Sequence, residues 1–137
     1  MYVAFGNQIL DSKEVKEAIE KNTEFKVVKD MTKGSKREDI LAYNLSISIT
    51  TLNEIMEEDI NISELTEDEL FEEYLTLAEE VATDIEEHLP PEAILDLKAY
   101  KWDPSDNDIK LVIVIAHEEF GDLKLMDVMK RLITQVE

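Results

Sequence analysis

The 137-residue chain sets 33 acidic side chains against 14 basic ones, a formal charge of −19, and 44% of its residues are hydrophobic. That is enough apolar material for the core of one domain spanning residues 1–137, and it excludes the low-hydrophobicity composition of a disordered chain. The absence of cysteine rules out a disulfide framework, a thiolate nucleophile and a cysteine zinc site, and three scattered glycines (Gly6, Gly34 and Gly121) rule out a Gly-rich phosphate cradle.

Met1 to Phe5 reads as a short strand closed by Gly6-Asn7. Asp11 offers an N-cap with Glu14 three residues on, and Val15, Ala18 and Ile19 share one face, which predicts a helix over about 12–21. Phe25, Val27 and Val28 form a β-prone run ending at the turn Lys33-Gly34-Ser35-Lys36. A hairpin follows from it, because Leu45, Ile47 and Ile49 then alternate with Asn44, Ser46, Ser48 and Thr50 at the period of two of a strand with one wet face. Residues 53–59 fit either a short helix or a loop.

Thr66 and Glu69 fit a capping box. Behind them Leu70, Phe71, Tyr74, Leu77, Ala78, Val81, Ala82, Ile85 and Leu89 recur at three- and four-residue spacing, which predicts a helix of about 24 residues stopped by Pro90-Pro91. Ile94 to Trp102 and Ile109 to Ala116 read as two strands joined by the turn-rich residues Asp103 to Asp108. A last helix starts near Gly121-Asp122 and turns Leu125, Val128, Met129, Leu132 and Val136 inward.

The expected class is α+β in the order β-α-β-β-α-β-β-α, whose first six elements match a ferredoxin-like, or split βαβ, sheet with helices on one face. One detail resists this arrangement. Its simplest extension leaves the final strand at the edge, yet Val112 to Ile115 is apolar on both faces, as in a covered, central strand.

The charge is unevenly placed. Residues 38–97 contain no Lys or Arg and 19 acids, whereas the flanks hold 14 acids against 14 bases. Between Glu67 and Glu87 ten carboxylates fall along a helix length of about 31 Å at 1.5 Å per residue, close to the roughly nine phosphates that one DNA strand places over that distance. A face of this kind suits a basic partner, and Glu72, Glu73, Glu79, Glu80 and Glu87 are its candidate contact residues. The plain alternative is a solvated face of good helix-forming residues, three of which favour the helix dipole at its start. Like charges four residues apart cost stability, so an unpaired run this long exceeds what solubility requires.

The favoured reading is a non-catalytic protein-interaction or regulatory module, with an inhibitor that mimics DNA as an alternative. A strongly negative surface repels phosphate backbones and anionic lipid, so direct binding to nucleic acid or membrane is not expected. The first ten residues carry no Lys or Arg, and the longest apolar run, Leu111 to Ala116, is far below the about 20 residues of a spanning helix. The expectation is a cytoplasmic protein with no membrane span, for which a homo-oligomer is possible.

A third reading is a small metal-dependent enzyme built on the only two histidines. If residues 94–102 and 109–117 pair about the centre of their connecting loop, facing positions sum to about 211, which sets His117 opposite Ile94 and brings it toward His88 across Pro90-Pro91. His88, His117 and Glu118 would then offer two imidazoles and a carboxylate to a divalent ion. The bland counterpart leaves each histidine at the end of its own element with no shared ligand. Other motifs fail on spacing. Counting from Asp103, an EF-hand needs Gly and Glu where Asp108 and Val114 stand, and Lys33 to Arg37 lacks the first Gly of a phosphate loop. Ser46, Ser48 and Thr50 have no base at a recognisable spacing, so no cofactor and no hydroxyl nucleophile is assigned.

Overall fold

The computed structural model describes residues 1–59 and 61–136. In chain order these form β1 (Tyr2–Phe5), β2 (Gln8–Asp11), α1 (Ser12–Asn22), β3 (Lys26–Asp30), β4 (Leu41–Ser48), α2 (Ile49–Met56), α3 (Glu67–Ala82), β5 (Ala93–Asp103), β6 (Asp108–His117) and α4 (Asp122–Ile133). Short 3-10 turns occupy Lys33–Ser35, Ile62–Glu64, Thr83–His88 and Glu118–Phe120. The class is α+β with antiparallel pairing throughout. No helix among the described residues is long and apolar enough to cross a membrane.

The apolar run of β6 dictates the layering. Ile109, Leu111, Ile113 and Ile115 face one core cluster, whereas Val112, Val114 and Ala116 face another. Burying each such side chain contributes about 1.5–3 kcal/mol, so the strand is stable only with cover on both faces. It has that cover because it is central: the sheet order is β3-β4-β6-β5. On one face lie α1, α3, part of α2 and the β1–β2 hairpin; on the other, α4 lays Leu125, Val128, Met129 and Leu132 against Ile40, Ala42, Val112 and Val114.

Two parts of the expected arrangement are therefore corrected. Helices cover both faces of the sheet, not one. The split βαβ pairing is not formed either, because β1 pairs with β2 in a separate two-stranded sheet. The cause is local. Gly6, at φ 57°, opens a two-residue turn that sends the chain straight back, so Phe5 pairs with Gln8 before any long-range partner can compete.

The helices start where the capping chemistry places them. The Asp11 carboxylate accepts from Lys13 N–H, and the buried Tyr43 hydroxyl donates to the Ser12 carbonyl at 2.7 Å, fixing α1 to the sheet. Thr66 and Glu69 form the reciprocal capping box. The long helix is shorter than its hydrophobic period implies: α3 ends at Ala82 and continues as the 3-10 turn Thr83–His88. Its last turn carries no basic residue, and Asp84, Glu86 and Glu87 follow where the helix dipole disfavours negative charge. Thr83 also donates its hydroxyl to the Glu80 carbonyl at 2.6 Å, which competes with the regular ladder. Residues 49–56 form a helix, not the end of a strand, because Ser48 caps the Thr51 N–H with its hydroxyl at 3.1 Å.

Candidate functional site

The sheet presents α2 and α3 on its outer acidic layer. Tyr74, Ala78, Ala82 and Ile85 are buried against the core, and Tyr74 stacks edge-on to Trp102 with centroids 5.0 Å apart. That anchoring turns Glu72, Glu73, Glu80 and Glu87 to solvent. Glu79 behaves differently: it is half-buried, and its Oε1 accepts the Ala99 N–H of β5 at 3.0 Å.

Among the described residues, no carboxylate from Glu54 to Glu92 takes part in an ion pair; the pairs that do form are Met1–Asp11, Arg37–Asp39, Lys101–Asp103, Lys110–Asp106 and Lys110–Asp108. In the basic turn that begins at Lys33, Arg37 finds its partner close to home. The Arg37 guanidinium donates from Nε and Nη2 to the two Asp39 oxygens at 2.9 and 3.2 Å and lies 4.8 Å from the Phe120 ring centroid. The hydrogen bond from Arg37 holds the Asp39 carboxyl below its ordinary pKa against the effect of desolvation. Three clefts of about 680, 410 and 290 Å³ open on the acidic layer, each with at least three carboxylates in its lining and no Lys or Arg.

The expected triad of His88, His117 and Glu118 is not assembled. Among the described residues, the group of three acidic or histidine side chains with ligand atoms within 4.8 Å of one another is Asp103, Asp106 and Asp108. The β5–β6 register explains part of the difference. Pairs near the turn, such as Trp102 with Ile109, sum to 211 as expected, but a bulge between Ala99 and Lys101 moves the rest to 210 and sets His117 opposite Ala93. The His117 ring is then taken up by the β1–β2 hairpin. It packs edge-on against Phe5 with centroids 5.2 Å apart, its Nε2 abuts Gly6, and its Nδ1 accepts the Glu119 N–H at 3.1 Å. His88, at the end of its 3-10 turn, and Glu118 are both exposed.

The aspartate turn that does converge already holds a cation. Lys110, on β6, donates from Nζ to Asp108 at 2.8 Å and Asp106 at 2.9 Å. Asp103 closes the turn by accepting from the Ser105 and Asp106 N–H groups, and Asn107 adopts a left-handed φ of 52°. Burial alone would pull the Lys110 ammonium down; the bonds and charges of Asp108 and Asp106 outweigh it, and its pKa is raised. The signal for this pairing in the sequence is the alternation of Asp108 and Lys110, which places both on one face of β6, with Asp106 in the turn just before them. Hydroxyls assigned to one strand face divide by element: Ser46 is buried in β4, Ser48 caps α2 and Thr50 lies within it.

Fold and site together define an antiparallel α/β/α layered protein with one acidic outer layer. No protein-family model matches the chain, and no curated protein or solved structure shows significant similarity to it.

Proposed function

We propose that the chain is a non-catalytic interaction or regulatory module that docks a basic protein partner on its α2–α3 layer. The observation that carries this reading is the unpaired state of the carboxylates from Glu54 to Glu92, while the basic side chains that form ion pairs do so with acids elsewhere. An uncompensated like-charge surface costs folding stability, and a cationic partner relieves that cost on binding. Glu72, Glu73, Glu80 and Glu87 are the contact residues; Glu79 contributes through its position beside β5.

The test is capture of partners at low and at high salt, using the native chain and the quadruple variant Glu72→Lys, Glu73→Lys, Glu80→Lys, Glu87→Lys. Capture that is lost in the variant and weakened by salt supports the reading, because exposed charges are screened beyond about 8 Å at physiological ionic strength. Capture that is indifferent to the reversal reduces the face to a solvated surface. The row of exposed carboxylates also favours a narrower reading, in which the basic partner is a nucleic-acid-binding protein and duplex DNA competes for it.

A further inference from the structure

We propose that the outer edge of β5 is a strand-addition site for an extended basic peptide. The inference rests on the acidic-layer reading and specifies the form of the partner. In an antiparallel ladder, alternate residues direct their backbone groups away from the neighbouring strand. On β5 the N–H groups of Leu97 and Ala99 point outward, where Asp96 Oδ1 and Glu79 Oε1 each accept one at 3.0 Å. Leu95 shares this direction by alternation. Two carboxylate oxygens thus stand where the carbonyls of a fifth strand would lie.

The two edges of the sheet differ in the way that matters for pairing. Both carry two exposed lysines and one register shift, at Lys26, Lys29 and Val27/Lys29 on β3 and at Lys98, Lys101 and Ala99/Lys101 on β5, so length decides: β3 has five residues, and its shift leaves no long unbroken stretch. β5 is eleven residues long, and its register is unbroken from Ala93 to Ala99. A groove of about 410 Å³ runs between it and α3, with Leu95 and Leu97 as half-buried apolar lining and Glu79, Glu80 and Asp96 as its charged groups. Leu97 packs toward α3, so Lys98, the next residue, projects to the opposite face. An incoming strand with basic side chains at alternate positions would bond the β5 backbone and release Glu79 and Asp96; its cations on the α3 side meet Glu79 and Glu80, while Asp96, which like Lys98 alternates to the opposite face, is freed to solvent. Main-chain bonds then supply affinity and the alternate side chains supply selectivity.

The probe is a blocked peptide of alternating Lys and Thr matched to the length of β5, titrated into isotope-labelled protein and followed by amide resonances and hydrogen exchange. Two further peptides of the same charge carry N-methyl groups at alternate residues, one in each phase. The expected result is saturable shifts and exchange protection at Leu95, Leu97 and Ala99, with one methylated phase retaining binding and the other weakened about tenfold or more through lost backbone bonds. Equal binding of all three peptides would overturn strand addition while leaving the acidic-layer reading in force. Strand addition falls in the same way, and alone, if no peptide binds but partner capture still depends on Glu72, Glu73, Glu80 and Glu87. If capture is also indifferent to those residues, both readings fall.

Discussion

Gly6 and Lys110 are the single residues on which most depends. A side chain at Gly6 meets two obstacles: φ is 57°, and a Cβ there lies 2.6 Å from the His117 ring, which is itself held against Phe5. Gly6→Ala should cost about 1–3 kcal/mol, read from the denaturant midpoint together with a displaced His117 resonance. Lys110→Met keeps the apolar stem and strands the Asp108 carboxylate, whose side chain is only 10% exposed and whose Oδ1 already has no partner. The expected loss is about 3 kcal/mol or more, and adding Asp108→Asn should recover much of it, since an unpaired buried charge is the expensive species. The pH dependence has a definite sign. Burial raises the Tyr43, Tyr74 and Tyr100 hydroxyls above their ordinary value of 10.0, and Lys110 is raised above 10.5. Stability from these groups is complete below those ordinary values and is lost as pH climbs past them. A circular dichroism titration should therefore show unfolding on the alkaline limb; unchanged stability well above pH 10 would contradict it.

At the level of elements, α3 tests the phasing. Ile85 is fully buried while Leu77 is half-buried. Ile85→Ala should cost about 2–5 kcal/mol and Leu77→Ala distinctly less, measured by urea unfolding. Equal losses would mean that the buried face does not pass from α3 into the 3-10 turn Thr83–His88, where Ile85 lies, in the way described. This element also shows what sequence can reveal. The Thr66 and Glu69 capping box was legible because each partner sits a fixed number of residues from the other. The end of α3 was not, because hydrophobic period persists through Ile85 and Leu89 while the backbone tightens from Thr83 onward under charge and hydroxyl competition. The β5 bulge was equally silent, and one inserted position sufficed to move His117 past its expected neighbour. Exposed carboxylates at Glu72, Glu73, Glu80 and Glu87 followed from the helix face alone; the capping role of Glu79 depended on β5 lying beside it, which no local pattern encodes.

For the whole molecule, the decisive clue in the sequence was the two-sided apolar run of β6, which contradicted an edge position before any pairing was known. Central placement with cover on both faces is the resolution. What could not be read was that β1 would leave the main sheet, because the apolar pattern of residues 1–5 marks a strand without naming its partner, and the polar start of β2 at Gln8 hides the local one. The concentration of charge on one layer carries its own expectation. Added sodium chloride should raise the thermal midpoint by screening the unpaired acids, and the quadruple Glu→Lys variant should show a smaller salt response. A midpoint independent of salt would mean that the layer's repulsion contributes little.

The sheet order also sets a route for assembly. β3 with β4, and β5 with β6, are neighbours in sequence and can zip as local hairpins. The seam that joins them, β4 against β6, pairs residues no closer in sequence than Ser48 and Asp108, 60 positions apart, and the intervening chain contains the whole unpaired acidic run. Closing that loop costs entropy and brings like charges together, so the β4–β6 encounter is the step that should limit the folding rate. Stopped-flow refolding should accelerate with salt more than unfolding slows, and core truncations at Leu45 or Leu111, on either side of the seam, should slow refolding more than truncations at Leu125 in α4.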